Sequence, residues 1–385
     1  MELYIHIPFC KRKCEYCSFV SFAADSAQKD EYIEILLKEA RIRQSEFTDK
    51  IDTVFIGGGT PSLLSPAQLE RTVTGIRKYL RSDSCTEFTI EANPGTLTEE
   101  FVGTAVRLGI NRFSIGMQAC QDAILKRLGR IHSYSDVRSS VSIMRKYHIE
   151  NFNLDLIFGI PGQTLSDWEK TLDAAISLHP AHISAYGLIP EEGTPLFERL
   201  TIGEIELPSQ EEERKMYDLA LKRLAESGYR QYEISNFALE GYECRHNIGY
   251  WTQVPYVGLG VSAASMRITG MTEKGMQCIR KKNPDSLADY YRMILEQDET
   301  CAETETVNPE EARFETMMLA LRMNSGISER RFYEMHGMRI EDCYGTKLAE
   351  MQQKGLMKHE NGSWSLTRKG MDIQNTVLVE FMDNQ

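Results

Sequence analysis

Short strand-like runs and helical patterns alternate through the first half of the chain, and this alternation limits the possible folds more than any other feature. The six strand-like runs cover residues 3–9, 51–56, 87–91, 112–115, 153–158 and 182–188. Because a helical pattern follows each run, the sequence predicts an α/β fold with a parallel sheet and right-handed crossovers. Periodicity alone leaves open whether this sheet stays open or curves into a partial barrel.

Serine residues mark the starts of several predicted helices. Ser65 stands directly before Pro66, a residue suited to the first helical turn. Ser209 stands three residues before Glu212, and Ser166 stands three residues before Glu169. This spacing is typical of a capping box, so helices are predicted to begin after both serines.

The alternation stops after about residue 200, and two further regions follow. Residues 201–305 contain one long helical pattern and strand-like runs at 231–237 and 257–266, which predict an α+β extension. A new helix start at Asn308 opens the last region, where helices precede a hairpin predicted to turn at Asn361–Gly362. We therefore expect three units, residues 1–200, 201–305 and 306–385, the last of them a winged-helix-like domain.

Charge and hydropathy exclude several classes of function. The net charge of −12 argues against nucleic-acid binding and against attachment to acidic lipid. Residues 306–385 carry ten Lys and Arg against twelve Asp and Glu, so this region is also unsuited to DNA. No stretch approaches the ~20 apolar residues of a membrane span, and no signal peptide is recognisable. We expect a cytoplasmic protein without a membrane span.

Three of the nine cysteines lie within eight positions, at Cys10, Cys14 and Cys17, directly after the first predicted strand. Three thiolates that hold a [4Fe–4S] cubane leave one iron open to a further ligand, whereas four thiolates fill every iron. Residues 11–13 add positive charge beside the anionic cluster. The alternative is a structural zinc site, which needs a fourth ligand nearby. Spacing alone favours the iron–sulfur cluster but keeps zinc open.

The Cys-x3-Cys-x2-Cys pattern after a first strand resembles the signature of the radical-SAM superfamily, and the resemblance covers about the first 200 residues. It implies a partial (β/α)6 barrel with a [4Fe–4S] cluster that binds S-adenosyl-L-methionine. It also implies an electron donor if the cluster is reduced. The implied contacts to S-adenosylmethionine are the glycine-rich turn with Gly58, Gly59 and Thr60, the strand-end residues Glu91, Gln118, Arg130 and Asp155, and the aromatic residues Tyr4 and Tyr16.

Residues 4–10 and 153–164 resemble one branch of this superfamily closely, the HemN/HemW branch of the oxygen-independent coproporphyrinogen III oxidase and related heme chaperones. The oxidases carry another cysteine two places after the third cluster ligand, and Phe19 stands at that place here. The stretch His246–Trp251 reads His-Asn-Ile-Gly-Tyr-Trp and is similar to the H-N-x-x-Y-W signature of the heme chaperones. Both features favour a chaperone.

The resemblance implies that His246 takes part in heme binding. Cys244, two residues before it, is a second candidate ligand that the motif itself does not support. Imidazole is a common axial ligand of heme iron, and Tyr and Trp offer flat apolar faces to a porphyrin. The alternative reading of the residues themselves is a buried aromatic turn in which His246 only forms hydrogen bonds. The chain is thus predicted to bind heme and transfer it to an acceptor protein. The competing hypothesis is a radical-SAM enzyme that decarboxylates, methylates or opens a tetrapyrrole.

Overall fold

The computed structural model describes residues 1–47, 49–80 and 85–382, and its centre is a parallel sheet. The six central strands are β1 (Glu2–Ile7), β2 (Thr53–Gly58), β3 (Glu87–Ala92), β4 (Arg112–Gln118), β5 (Phe152–Phe158) and β6 (His182–Gly187). Each of these strands pairs in parallel with the next one along the chain. The parallel sheet predicted from the alternating pattern is therefore confirmed.

Helices connect these strands and cover the sheet. They are α1 (Ser26–Ile42), α2 (Pro66–Tyr79), α3 (Glu99–Arg107), α4 (Asp122–Arg127), α5 (Tyr134–Lys146), α6 (Leu165–Ser177), α7 (Pro195–Thr201) and α8 (Gln210–Glu226). Ser65 and Ser209 cap α2 and α8 as predicted. The capping box predicted at Ser166 is wrong, because Thr164 caps α6 and Asp167 completes the box.

Six further strands extend the sheet at both edges. They are β7 (Arg230–Gln231), β8 (Asn236–Ala238), β9 (Tyr256–Leu259), β10 (Ala264–Thr272), β11 (Gly275–Lys282) and β12 (Glu303–Val307). The order is β12-β11-β10-β9-β1-β2-β3-β4-β5-β6-β8-β7, and among the described residues the two end strands do not pair with each other. The strands of residues 201–305 thus belong to the same sheet as the first six. Two further helices lie in this region, α9 (Arg245–Trp251) and α10 (Leu287–Glu296).

The two strand-like runs predicted in residues 201–305 are both interrupted. The run at 231–237 is split into β7 and β8, and the run at 257–266 is split into β9 and β10. Gly260 lies in the second interruption with φ +101°, a left-handed conformation that glycine adopts readily. The sequence pattern indicates the presence of strands here but not their ends.

The last region has its own three-stranded sheet and its own core. Its elements are α11 (Pro309–Ala320), β13 (Ile327–Ser328), α12 (Glu329–His336), α13 (Ile340–Gln353), β14 (Met357–Glu360), β15 (Ser363–Leu366), α14 (Arg368–Asp372) and α15 (Gln374–Val379). The predicted hairpin is confirmed, since Asn361 and Gly362 both have positive φ, as a two-residue hairpin turn requires. Throughout the described residues, the helices are too short or too polar to cross a membrane.

Candidate functional site

The loop that follows β1 carries the three clustered cysteines and is held at several points. The amide of Cys10 donates to the carbonyl of Phe22 at 2.9 Å, and the amide of Phe22 donates back to Pro8 at 2.6 Å. Near the middle of the loop, the amide of Glu15 donates to the carbonyl of Leu128 at 3.1 Å. These bonds close the loop on itself beside the end of β1 and join its middle to the C-terminal end of α4, so its thiols face a defined space.

That space is a cavity of about 140 Å³ at the carboxyl ends of the central strands. Most of the predicted site residues line it: Cys10, Cys14, Tyr16, Cys17, Gly58, Gly59, Glu91, Gln118, Arg130 and Asp155. Three predicted residues do not line it: Tyr4, Thr60 and His246. Thr60 nevertheless adjoins it, because its hydroxyl lies 3.4 Å from the sulfur of Cys10. The fold therefore brings together residues that are up to 145 positions apart in the sequence.

The donor set of this cavity fits a [4Fe–4S] cluster. Cys10, Cys14 and Cys17 are free, partly exposed thiols, and no fourth cysteine is among the residues that line the cavity. Three thiolates leave one iron of a cubane open. In the described part of the chain, no three His, Cys, Asp or Glu side chains are already grouped as metal ligands.

Arg130 places a positive charge beside these thiols. One of its terminal nitrogens, Nη2, donates to Asn93 Oδ1 and to the carbonyl of Gly116, both at 2.7 Å. The other nitrogen, Nη1, donates to Cys14 Sγ at 3.5 Å. These three contacts hold the guanidinium between the end of β4, Asn93 and the sulfur of Cys14. Sequence reasoning does not identify Asn93, although it stands only two residues after Glu91.

The glycine turn after β2 packs too closely against its neighbours to accept a side chain. Gly58 has φ +109°, and a Cβ atom on it would lie 2.5 Å from the ring of His6. A Cβ atom on Gly59 would lie 2.8 Å from the backbone of Phe9. The amide of Gly58 donates to Glu91 Oε2 at 3.0 Å, which joins the turn to the end of β3. The turn thus presents backbone to the cavity at close range.

Two partly buried carboxyl groups face the cavity from β3 and β5. Burial, together with the negative charge of Asp155, raises the pKa of Glu91 to about 8. Burial also raises the pKa of Asp155, against the effect of hydrogen bonds from Asn153 and Ser114. These bonds measure 2.8 Å from Asn153 Nδ2 and 3.1 Å from Ser114 Oγ. Both carboxyls are therefore held in place as hydrogen-bonding groups for hydroxyls or an amine.

Replacing Gly58 by alanine is expected to weaken S-adenosylmethionine binding by at least about tenfold, equivalent to ~1.4 kcal/mol. A Cβ atom at this φ costs ~1–2 kcal/mol and also meets the His6 ring, so the turn must move away from the cavity. Equilibrium binding to the anaerobically reconstituted protein measures the effect. Gly345→Ala is the matched control, since a Cβ atom in the middle of α13 meets nothing closer than 3.8 Å. Equal affinity of both variants would contradict the expectation.

A second, larger cavity of about 730 Å³ lies between β1, the β9–β11 strands and α11. Its lining is mainly apolar and aromatic: Tyr4, His6, Ser18, Phe19, Val20, Tyr250, Gln253, Tyr256, Ser262, Ala264, Met266, Cys278, Arg280, Lys282, Asp285, Glu315, Met318 and Leu319. The volume is within the ~300–1,000 Å³ of small-molecule sites. Phe19, which is 66% exposed, lines both cavities, so the two are adjacent.

Tyr4 faces this larger cavity and not the cysteine cavity. Its hydroxyl lies 3.0 Å from Nδ1 of His6, which faces the same cavity. The sequence prediction that Tyr4 flanks an adenosine beside the cluster therefore lacks support from its position. Tyr16, in contrast, lines the cysteine cavity as predicted.

His246 is buried in α9, with 1% of its surface exposed, and does not line either cavity. Its Nδ1 lies 2.7 Å from the hydroxyl of Thr53, and its Nε2 lies 3.0 Å from the hydroxyl of Tyr250. Burial, together with the positive charge of Arg112, lowers the pKa of His246 to about 3. A role as iron ligand would require one of these two hydrogen bonds to break. Cys244 is fully buried as well.

Comparison with known proteins gives two family matches. Residues 4–175 match the radical SAM superfamily, and residues 307–373 match the HemN C-terminal domain. The heme chaperone HemW of Bacillus subtilis is 37% identical over 382 residues, which cover 98% of each chain. The heme chaperone HemW of Lactococcus lactis subsp. lactis is 35% identical, over 98% of this chain and 96% of its own.

One solved structure shares the fold over the whole chain. Coproporphyrinogen III oxidase (HemN) from Escherichia coli, described as a radical SAM enzyme, superposes with a TM-score of 0.84. The superposition covers 100% of this chain and 90% of the oxidase, at 21% sequence identity. At this identity the likeness confirms the architecture, a parallel α/β radical-SAM sheet that is followed by a C-terminal domain.

Proposed function

The chain belongs to the HemW family of heme chaperones within the radical SAM superfamily, and we propose that it binds heme and passes it to an acceptor protein. The observation that carries the proposal is the 730 Å³ cavity, which has the aromatic and apolar walls that a porphyrin needs. Phe19 lies between this cavity and the cysteines, so bound heme and the cluster would be neighbours.

The smaller cavity supports a role for the cluster and for S-adenosylmethionine. Cys10, Cys14 and Cys17 would hold the [4Fe–4S] cluster, which supplies electron transfer to the sulfonium when it is reduced. The other residues of the cavity would bind and orient S-adenosylmethionine: Tyr16, Gly58, Gly59, Glu91, Gln118, Arg130 and Asp155, with Thr60 beside them. The backbone of the glycine turn would approach the ligand closely, and the partly buried carboxyls would accept its hydrogen bonds.

The remaining parts of the proposal concern organisation and partners. Residues 1–200 would form the cluster-binding unit, residues 201–305 would complete the heme cavity, and residues 306–385 would form the winged-helix-like unit. We place the protein in the cytoplasm, with a protein electron donor and without a nucleic-acid partner. The proposed partners are heme itself and an acceptor hemoprotein that receives the heme from this chain.

A cavity-filling substitution tests the heme site. Ala264 lines the larger cavity from β10, so Ala264→Trp is expected to weaken heme binding by about tenfold or more by occupying the space. The measurement is a heme titration of the anaerobically reconstituted protein, followed by Soret absorption. Thr269→Trp is the matched control, because this exposed residue on the same strand does not line the cavity.

Two results would count against the proposal. Unchanged heme affinity in Ala264→Trp would exclude this cavity as the site. Chemical alteration of heme by the wild-type protein with S-adenosylmethionine and a reductant, detected as a change of mass, would show an enzyme and not a chaperone. Transfer of unaltered heme to an apo-hemoprotein is the expected outcome.

A further inference from the structure

Two residues of the H-N-x-x-Y-W stretch lie on one side of α9 and contact each other. His246 and Tyr250 are four positions apart, so their side chains are neighbours on the helix. The hydroxyl of Tyr250 lies 3.0 Å from His246 Nε2, and the two rings meet edge to face with centroids 4.9 Å apart. Tyr250 lines the larger cavity, whereas His246 lies behind it. The residue of this stretch that a ligand in the cavity can reach is therefore the tyrosine.

A buried carboxyl group stands on the far side of the imidazole. Glu2 Oε2 lies 3.9 Å from His246 Nδ1, and no hydrogen-bond partner for this oxygen is found among the described residues. Nδ1 also contacts the hydroxyl of Thr53 at 2.7 Å. Carboxyl, imidazole and phenol thus form a series that begins in the core at Glu2 and ends in the cavity at Tyr250.

We propose that Tyr250 is the axial ligand of ferric heme in this chaperone and that His246 is its positioning residue. The inference rests on the proposed function, since it assigns a ligand within the proposed heme cavity. Tyrosine is an established axial ligand of heme iron, and a hydrogen bond to a ligating side chain fixes its orientation. When the phenol oxygen binds iron, its proton would leave to solvent through the cavity, and Nε2–H of the neutral His246 would donate a hydrogen bond to the phenolate. Nδ1 of the same ring would accept from the hydroxyl of Thr53, so no new charge is placed in the core.

Tyr4 is the most similar alternative in the cavity, because its hydroxyl lies 3.0 Å from His6 Nδ1. The other nitrogen of His6, Nε2, lies 2.9 Å from the carbonyl of Val20. A carbonyl only accepts hydrogen bonds, so Nε2 of a neutral His6 carries the proton and its Nδ1 cannot donate to a phenolate of Tyr4. The hydroxyl of Thr53 can donate to Nδ1 of His246, which leaves Nε2 of that ring able to donate to Tyr250. Asp285 also faces this cavity, but it pairs with Lys282 at 2.9 Å. Tyr4→Phe is consequently the matched control for Tyr250→Phe.

The test is a titration of the anaerobically reconstituted protein with hemin, in the wild type and its variants. We expect wild-type protein to show the iron–phenolate stretch in resonance Raman spectra and a high-spin ferric signal. Tyr250→Phe is expected to lose the phenolate signature and to bind hemin about tenfold or more weakly. Tyr4→Phe is expected to keep the phenolate signature and the wild-type affinity for hemin. Tyr250→His is expected to recover affinity with the spectrum of an imidazole-bound heme.

His246→Leu separates positioning from ligation. Leucine fills most of the space of the ring but cannot donate a hydrogen bond to the phenolate, so the phenolate signature should persist and form at a higher pH. A purely structural role would leave that pH unchanged, so an unchanged pH overturns the role of His246. Cluster absorption and circular dichroism identify any variant that fails to fold.

Other outcomes separate this inference from the proposed function. An imidazole-bound spectrum of the wild type that His246→Leu abolishes would make His246 the ligand and overturn the assignment of Tyr250. Heme binding without any phenolate signature would also overturn that assignment, while the chaperone proposal would stand. Absence of heme binding by the wild type would overturn the proposed function itself.

Discussion

Replacing Cys14 by serine is expected to reduce the iron and acid-labile sulfide of the anaerobically reconstituted protein to a small fraction of the wild-type content. The proposed site has only three thiolates, so loss of one leaves a second iron without a protein sulfur ligand. Serine oxygen is a harder and poorer ligand for an iron–sulfur cluster. The variant also loses the N–H···S contact from Arg130. S-adenosylmethionine binding is expected to disappear together with the cluster.

Cys301→Ser is the matched control for this experiment. Cys301 is also partly exposed, and its sulfur also accepts from an arginine, with Arg292 nitrogens at 3.1 and 3.2 Å. It does not line the cysteine cavity, so iron and sulfide should stay at the wild-type level. Full cluster content in Cys14→Ser would contradict the assignment. Zinc without sulfide in the wild-type protein would instead restore the structural-zinc alternative.

The regular part of the fold is predictable because local signals and long-range packing agree there. Each central strand is a short apolar run, and caps such as Ser65 and Ser209 mark the helices. The start of α6 is an instructive error, since two overlapping patterns fit the same segment. Thr164 with Asp167 forms the actual box, and this start puts Trp168 in the core, where its Nε1 donates to the carbonyl of Met216 at 2.8 Å. Sequence spacing alone does not choose between the two patterns.

The flanking strands depend on contacts that no local pattern reports. The break between β9 and β10 occurs at Gly260, whose amide donates to Glu39 Oε2 at 2.7 Å. The same carboxyl receives a hydrogen bond from Tyr290 at 2.7 Å and a further one from Asn283 at 2.8 Å. Glu39 is more than 200 residues away from these three partners. The end of β9 is therefore determined by tertiary structure.

The two cavities differ in how far sequence predicts them. The cysteine cavity is built from motifs that are continuous in sequence, such as Cys10–Cys17, so its residues are identifiable in advance. The larger cavity requires the β10–β11 hairpin and α11 to pack beside β1, and no short motif encodes that arrangement. No short motif encodes the surroundings of His246 either, because its contact with Thr53 joins residues 193 positions apart. For this reason sequence reasoning selects His246 as the candidate heme ligand, whereas the structure places Tyr250 on the cavity wall and His246 behind it.

The second large effect is a pH dependence of stability that arises from Glu2. Burial raises the pKa of the Glu2 carboxyl from 4.5 to about 8; the charges of Glu87 and Asp52 add to the rise, against the N-terminal ammonium and Thr53. Between these two values the unfolded chain releases a proton that the folded chain retains. The contribution of Glu2 to stability is therefore fully present below pH 4.5 and is lost as the pH rises through 8.

Glu2→Gln removes this titration while it keeps the shape of the side chain. We expect the variant to gain free energy of unfolding relative to wild type as the pH rises, by about 3–5 kcal/mol above pH 8, since each pKa unit corresponds to ~1.4 kcal/mol. Anaerobic denaturant unfolding of the two holoproteins between pH 5 and pH 9 measures the difference. Glu360→Gln is the control, because Glu360 is exposed on the C-terminal hairpin. Its free energy of unfolding should change with pH in the same way as that of wild type.

Parallel pH–stability curves for Glu2→Gln and wild type would contradict this prediction. They would show that the carboxyl of Glu2 releases its proton at the same pH in the folded and the unfolded chain, so that its burial contributes no pH dependence to stability.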